Sequence, residues 1–119
     1  MKFLMLIKHA ESLRSLPMPD GFNEAVGAFV TEAFKTGVLK DTAGLKPTSE
    51  GVRVRSSGGK LRVTDGPFTE AKEIIGGYAM VEVSSKEEAL EFARKFMDLH
   101  REHWPEFEGE SEVRELEAM

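Results

Sequence analysis

The sequence predicts an α+β fold in which two helices cover one face of an antiparallel sheet. Residues 3–7 and much of residues 74–83 are apolar at both even and odd positions, that is, on both faces of a strand. This pattern is typical of strands buried in the middle of a sheet. Two other segments carry apolar residues at three- and four-residue spacing, as helices with one buried face do. Between these helical segments the chain alternates strictly between apolar and polar residues, which predicts a hairpin.

The first strand and the first helix are separated by prolines. Residues 3–7 are too few for a helix, so we interpret them as a central strand. After Pro17 and Pro19, Asp20 is the predicted N-cap of a helix, and Gly37 supplies its C-terminal end. The apolar residues of this helix are Phe22, Val26, Phe29, Val30, Ala33 and Phe34.

The predicted hairpin follows a short extended segment at residues 38–39. Residues 52–55 and 60–63 alternate on either side of a turn at residues 56–59. One face of this hairpin is therefore apolar and the other is basic. The basic face includes Arg55, whose guanidinium could bind a carboxylate or phosphate, although such a face is more often simply solvated.

The second central strand and second helix follow. In residues 74–83, Gly76 and Gly77 indicate a bulge or a close backbone approach. The next helix begins at Ser84 or Ser85, since each serine is followed three residues later by a glutamate in capping-box position. Its predicted buried stripe consists of Ala89, Phe92, Ala93, Phe96 and Met97.

The order of these elements predicts a ferredoxin-like βαββαβ fold with an extra β-hairpin. Residues 111–116 offer a weak closing strand that suits an edge position. A length of 119 residues fits a single domain, residues 1–119. The sheet has a second face, and if that face is apolar, another copy of this small chain is its expected cover. We therefore expect a homodimer.

Composition limits the classes of function. The net charge of −5 disfavours nonspecific binding to nucleic acid or to an anionic membrane. No cysteine is present, which excludes thiolate metal sites and cysteine nucleophiles. The longest apolar run is too short to span a membrane or to form a signal-peptide core, so we expect a cytoplasmic protein. Nucleotide-binding signatures are absent, and nothing in the sequence calls for a cofactor.

The segment between the hairpin and the second central strand concentrates polar residues. In Asp65-Gly66-Pro67-Phe68, proline and glycine fix the backbone, so the flanking side chains point in defined directions. Glu70 and Lys72 follow. Asp65 and Glu70 are candidate catalytic groups, and Phe68 and Lys72 are candidate ligand contacts, as is Tyr78 on the following strand. The alternative is an Asx-turn that satisfies its own hydrogen bonds.

The segment VTDGPFTEAKEIIGGYAMVEV resembles the signature of the DGPF branch of the YCII-related family, whose commonest motif is DGPFAETKE. Thr69-Glu70-Ala71 rearranges the usual Ala-Glu-Thr but retains Glu70, Lys72 and Glu73. The resemblance extends over most of the chain. It implies a dimeric ferredoxin-like α+β barrel, related to small enzymes such as muconolactone isomerase-like and dechlorinating proteins.

One departure from the family pattern affects the predicted site. YCII proteins are thought to use a histidine in the first helix and an aspartate in an Asp-Pro-Tyr segment, and this sequence has neither. His9, at the end of the first strand, is the remaining candidate proton partner for Asp65. The alternative is a half-exposed histidine at a strand end. His100 and His103 have a spacing that could serve a metal, but we interpret them as a surface helix end and predict no metal site.

Three functions remain open. The first is a cofactor-independent small-molecule enzyme of the isomerase or lyase type, with Asp65, His9 and Glu70 as acid/base groups. The second is a noncatalytic module that binds an unknown small molecule, since some relatives of the DGPF branch are linked to alternative sigma factors. The third is a purely structural turn.

Overall fold

The computed structural model describes residues 1–118, so the last residue of the predicted domain lies outside the described part. The elements in chain order are β1 (Lys2–His9), a 3-10 helix (Glu11–Ser15), α1 (Phe22–Lys35), β2 (Leu39–Gly44), a 3-10 helix (Thr48–Glu50), β3 (Val52–Ser57), β4 (Lys60–Asp65), β5 (Ile74–Glu82), α2 (Lys86–His103) and β6 (Gly109–Glu115). Two helices and an antiparallel sheet confirm the predicted ferredoxin-like α+β fold class. The two 3-10 helices were not predicted from the sequence.

The main sheet has the strand order β2-β5-β1-β6. β1 and β5 are central, and β6 lies at one edge, as their apolar patterns predict. Phe3 pairs with Val81 and Met5 with Ala79, which places these four side chains on the helix-facing side of the sheet. The main core is formed by Phe3, Met5, Ala33, Leu39, Val81, Val83, Ala89 and Ala93.

A bulge interrupts the pairing of the two central strands. Ile7 pairs with Gly77, but the next residue, Lys8, pairs with Ile75, so Gly76 is the extra residue of β5. A Cβ at Gly76 would lie 2.8 Å from Cδ2 of His9 and closer still to Nε2. The close approach predicted for these glycines is therefore present, and the group that approaches is the His9 ring.

The helix ends agree with the sequence at two of the three predicted points. Ser85 is the N-cap of α2 and accepts a hydrogen bond from the Glu88 backbone N–H at 3.2 Å. Gly37 follows the C-cap of α1 with φ of 81°, as expected for a glycine that ends a helix. The predicted Asp20 cap is wrong, because the chain turns one residue further and Gly21 occupies the N-cap with φ of 87°.

The predicted hairpin is present but stands apart from the main sheet. β3 and β4 form a separate two-stranded sheet, joined by Gly58 and Gly59, which both have positive φ. Its strands extend two residues further than the alternation predicted. We call residues 52–65 the arm. Pairing of Val54 with Val63 and of Arg55 with Arg62 confirms one apolar and one basic face.

Neither α1 nor α2 combines the length and apolar character that crossing a bilayer needs.

Candidate functional site

A cavity of about 390 Å³ lies between the helices and the main sheet. We call it the central cavity. Most of its walls are apolar, and the aromatic rings of Phe22, Phe29, Phe92 and Phe96 contribute to them. Polar side chains in the wall are few and include Thr42 and His100. Ligand sites are typically of this size and have this combination of apolar walls and a few polar groups.

His100 is the polar group whose placement is most defined. It is 6% exposed and packs edge-on against Phe22 and Phe96, with ring centroids 4.9 and 5.0 Å away. Its Nδ1 lies 3.0 Å from the Phe96 carbonyl oxygen. Because a carbonyl can only accept, Nδ1 carries the proton and Nε2 of the neutral ring has a free lone pair. The interpretation of His100 as part of a surface helix end is wrong.

Burial lowers the pKa of His100, and the neighbouring His9 adds to this effect, while the hydrogen bond to the Phe96 carbonyl opposes it. Removal from water disfavours the charged ring because the surrounding aromatic side chains cannot replace its hydration. At neutral pH His100 is therefore a neutral base in an apolar wall.

This depressed pKa predicts a pH-dependent stability. The unfolded chain binds the proton at His100 more readily than the folded one, so the contribution of the neutral ring is complete above pH about 6.5. It is lost as the pH falls through the lower folded pKa. We expect the free energy of unfolding, measured by urea denaturation, to fall less between pH 7.5 and 5 in His100→Gln than in the wild type. An unchanged slope in His100→Gln, with the same slope in His103→Gln, would contradict this assignment.

His9 forms the second part of the site. It is 8% exposed, so the alternative of a half-exposed strand-end histidine is wrong. Its Nδ1 lies 2.8 Å from the Ala10 carbonyl oxygen, so Nδ1 is the nitrogen that donates this hydrogen bond. The ring of Phe107 lies between the two imidazoles, 6.1 Å from His9 and 4.4 Å from His100 between centroids.

A second cavity of about 410 Å³ adjoins the first. His9 lines this second cavity together with Arg14, Leu45, Trp104 and Phe107. The two cavities share three lining residues: Met18, Gly44 and Gly76. Each imidazole thus borders one of two neighbouring cavities that have a common wall.

The structure places the predicted residues of the DGPF segment elsewhere. Asp65 is exposed at the end of the arm, and the cavity that His9 lines does not include it. Glu70 pairs with Arg53, whose guanidinium carbon also lies 3.7 Å from the centroid of the Phe68 ring. A hydrogen bond from its own backbone and the Arg53 guanidinium lower the pKa of Glu70.

The other predicted ligand contacts are dispersed. Arg55 and Lys72 are exposed, and Arg55 lies on the basic face of the arm. Tyr78 borders the central cavity, but its pairing with Leu6 puts its side chain on the face of the sheet that the helices do not cover. Its hydroxyl donates to Asp41 Oδ2 at 2.8 Å, which raises the pKa of Tyr78. Of the predicted residues, only His9 and Tyr78 therefore lie at the cavities just described.

The DGPF turn is joined to the preceding loop by specific contacts. The Phe68 backbone N–H donates to Thr48 Oγ1 at 3.2 Å, and the Thr48 hydroxyl in turn donates to Glu11. The Gly66 backbone N–H donates to the Gly51 carbonyl at 2.9 Å. We call this set of contacts the latch.

Sequence reasoning missed His100 as a site residue. A signal was available, because His100 continues the buried stripe of α2 at four residues after Phe96 and seven after Ala93. A histidine on the buried face of a helix is either packed or placed in a cavity wall, and only the tertiary structure shows that His100 is both. Within residues 1–118, no cluster of three or more His, Cys, Asp or Glu side chains is arranged to hold a metal ion.

Comparison with known proteins shows a family model that matches most of the chain and a similar protein. Residues 1–97 match the family model described as the YCII-related domain, and this range contains the DGPF segment. An uncharacterised protein of Rhizobium meliloti (strain 1021) is 42% identical over 60 residues, which are 50% of this chain. That match spans about half of the relative's own length, 48%.

Proposed function

Because the chain belongs to the YCII-related family, we propose that it binds a small, largely apolar molecule in the central cavity and transfers a proton on it without a cofactor. The observation that carries the proposal is the buried His100, which lines the mostly apolar central cavity and whose Nδ1 is engaged by the Phe96 carbonyl, so that Nε2 is the nitrogen available to a ligand. A general base that removes a proton from carbon has to be positioned in the site and unprotonated at the working pH. His100 meets this requirement.

The second imidazole extends this chemistry. His9 lies near the wall that the two cavities share. In an isomerisation, His100 would take a proton from a carbon next to a carbonyl, and the protonated ring, which can exchange this proton with solvent, would give a proton to a different carbon of the ligand. We propose that the His9 ring, which lines the adjoining cavity, stabilises the negative charge that develops on the ligand oxygen by donating a hydrogen bond to it. No electron acceptor or further reactant is needed.

The ligand class follows from the walls. Four phenylalanine rings favour a ligand with an aromatic or unsaturated apolar body, since such rings pack against one another edge to face or offset. The small number of polar wall groups suits a single carbonyl rather than a sugar or a nucleotide. We therefore propose a neutral carbonyl compound with an acidic C–H as the substrate class.

A direct test uses 2-indanone, an aromatic ketone with acidic α-protons. We expect the protein to bind it, seen as a rise in melting temperature, and to accelerate α-proton exchange in D₂O, followed by NMR. Loss of the base in His100→Gln should slow this exchange about 10²-fold. The matched control is His103→Gln, because His103 is partly exposed at the end of the same helix and does not line the cavity. Equal exchange in both variants would contradict the role of His100.

The same experiment separates the alternatives. Binding without exchange in the wild type would support a noncatalytic ligand-binding or regulatory module. A loss of exchange in Asp65→Asn would support the predicted role of Asp65. We expect instead that Asp65→Asn leaves the exchange rate unchanged, because Asp65 is exposed at the end of the arm. Absence of binding would overturn the proposed site.

We further propose that the DGPF turn has a structural role. The latch joins the turn to the loop before β3, because the backbone N–H groups of Gly66 and Phe68 donate to the Gly51 carbonyl and to Thr48 Oγ1. Arg53 of β3 also stacks on the Phe68 ring. These contacts hold residues at both ends of the arm together. The structural role is supported by the hydrogen bonds that the turn makes within the chain. The catalytic alternative would need a ligand to bind at the exposed carboxylate of Asp65.

A homodimer is also proposed, formed through the face of the main sheet that the helices do not cover. The register places Leu4, Leu6, Tyr78 and Met80 on that face, opposite Phe3 and Met5 in the alternation of the strands. Leu4, Leu6 and Met80 are only partly buried. Charged groups surround them, such as Lys8, which donates to Glu112 at 3.1 Å. An apolar centre with a charged rim is the anatomy of a protein interface.

A further inference from the structure

The apolar face of the arm has no partner among residues 1–118. Its four apolar side chains are Val52, Val54, Leu61 and Val63, and they are 58%, 64%, 75% and 66% exposed. Strict alternation puts all four on one face, as the pairing of Val54 with Val63 shows. An exposed cluster of this kind on a small protein marks an interaction surface.

The strands of the arm pair only with each other and not with the main sheet. The arm is a two-stranded sheet, and an isolated hairpin is only marginally stable in water. The latch joins its base to the rest of the chain, but none of the strands of the main sheet pairs with it. The radius of gyration is 16.0 Å, compared with about 13.5 Å for a compact domain of this length. This extension is consistent with an arm that reaches away from the body.

Charge indicates which kind of surface the arm would meet. The arm has four cations and one carboxylate, a net charge of +3, so the other residues carry −8 of the total of −5. The rest of a second copy therefore carries a net negative charge, and complementary net charges favour its encounter with a basic arm. A nucleic acid would also attract the arm, but the excess negative charge of the body would oppose it.

The interface area of the proposed homodimer gives a separate reason to expect that the arm takes part in it. The four strands of the main sheet contain 8, 6, 9 and 7 residues, so the flat area of its outer face is roughly 500 Å². Stable dimers bury about 800 Å² per partner. The arm, with six residues in each strand, adds roughly 200 Å² on its apolar face. The sheet face alone is small for a stable dimer, and the arm supplies most of the difference.

We propose that the apolar face of the arm closes on the body of a second copy of this chain and extends the sheet-to-sheet interface. This inference rests on the proposed homodimer and is independent of the proposed ligand site. By two-fold symmetry each copy both gives and receives an arm, so the interface is closed and no further copies add to it.

The test is sedimentation equilibrium of the full chain and three variants. We expect a wild-type dimer whose dissociation constant rises at least 30-fold in Leu61→Ser/Val63→Ser, because apolar area is lost from the interface. The control Leu61→Met keeps an apolar side chain of similar volume, so its dissociation constant should stay within threefold of the wild type. Met80→Lys, on the outer face of the sheet, should prevent dimer formation if that face is the centre of the interface.

The outcomes distinguish the two proposals. A wild-type monomer at micromolar concentration would overturn both. A dimer that Met80→Lys disrupts but Leu61→Ser/Val63→Ser leaves intact would overturn the arm proposal alone. Amide hydrogen exchange provides a second measurement that does not depend on the variants. Protection of residues 52–65 should rise with protein concentration in the wild type, and protection that is independent of concentration would overturn the role of the arm.

Discussion

Replacing Gly66 with alanine is expected to release the arm from the rest of the molecule. A Cβ at Gly66 would lie 2.7 Å from the carbonyl carbon of Thr48 and closer still to its oxygen. Backbone atoms cannot rotate away as a side chain can, so the latch has to open. A steric conflict of this kind costs about 3 kcal/mol. Because every 1.4 kcal/mol is a factor of ten, amide exchange in residues 52–65 should become more than about 100-fold faster.

Gly51 offers a graded control, because it also lies close to the Thr48 carbonyl. A Cβ at Gly51 would lie 3.3 Å from the same Thr48 carbonyl oxygen and 3.5 Å from the Phe68 ring, so Gly51→Ala should need only small shifts. We expect its exchange rates to stay within about tenfold of the wild type. Since the arm forms its own sheet, exchange in the main sheet should change little in Gly66→Ala. Equal rates in the arm for Gly66→Ala and wild type would show that the latch does not hold the arm.

Replacing Gly76 with alanine is expected to destabilise the whole fold. The new Cβ would enter the space of the buried His9 ring, on a central strand of the main sheet. Overpacking at a buried position costs about 1–3 kcal/mol, and we expect the upper end because the ring is packed beside Phe107. Urea denaturation should show a corresponding fall in the free energy of unfolding.

A double-mutant cycle makes the cause testable. If the His9 ring is the obstacle, His9→Ala/Gly76→Ala should be destabilised by less than the sum of the two single changes, by about 1 kcal/mol or more. Gly27→Ala is the control, because a Cβ at Gly27 in the middle of α1 meets nothing within 4 Å. That change should raise stability by about 0.5–1 kcal/mol. Additive effects of His9 and Gly76 would show that the strain lies in the backbone instead.

These two glycines connect the fold to the candidate site. Gly76 leaves room for the ring of His9, and it lines both cavities. Without a side chain at this position, an imidazole can lie against the end of a central strand at the common wall of two cavities. Gly66 lets the turn approach Thr48 and so fixes the base of the arm. One glycine therefore shapes the proposed ligand site, and the other supports the proposed interface.

Local patterns in the sequence were enough to determine several elements. Apolar residues at both even and odd positions identified β1 and β5 as central strands, because a strand covered on both faces has few positions for polar groups. Ser85 followed by Glu88 located the start of α2, since the capping contacts join residues only three apart. The two faces of the hairpin followed from strict alternation, which has the period of a strand.

The tertiary structure alone decided which distant residues meet. His9 and His100 are 91 positions apart, and their neighbourhood depends on how α2 packs on the sheet, which no local pattern specifies. The sequence paired His9 with Asp65, but the separation of the arm from the main sheet leaves Asp65 exposed and His9 buried. Helix periodicity and capping are properties of a few neighbouring residues. A site built from β1, α2 and a bulge in β5 is a property of long-range packing, and for that reason the sequence determined the fold class of this protein while the structure determined its candidate site.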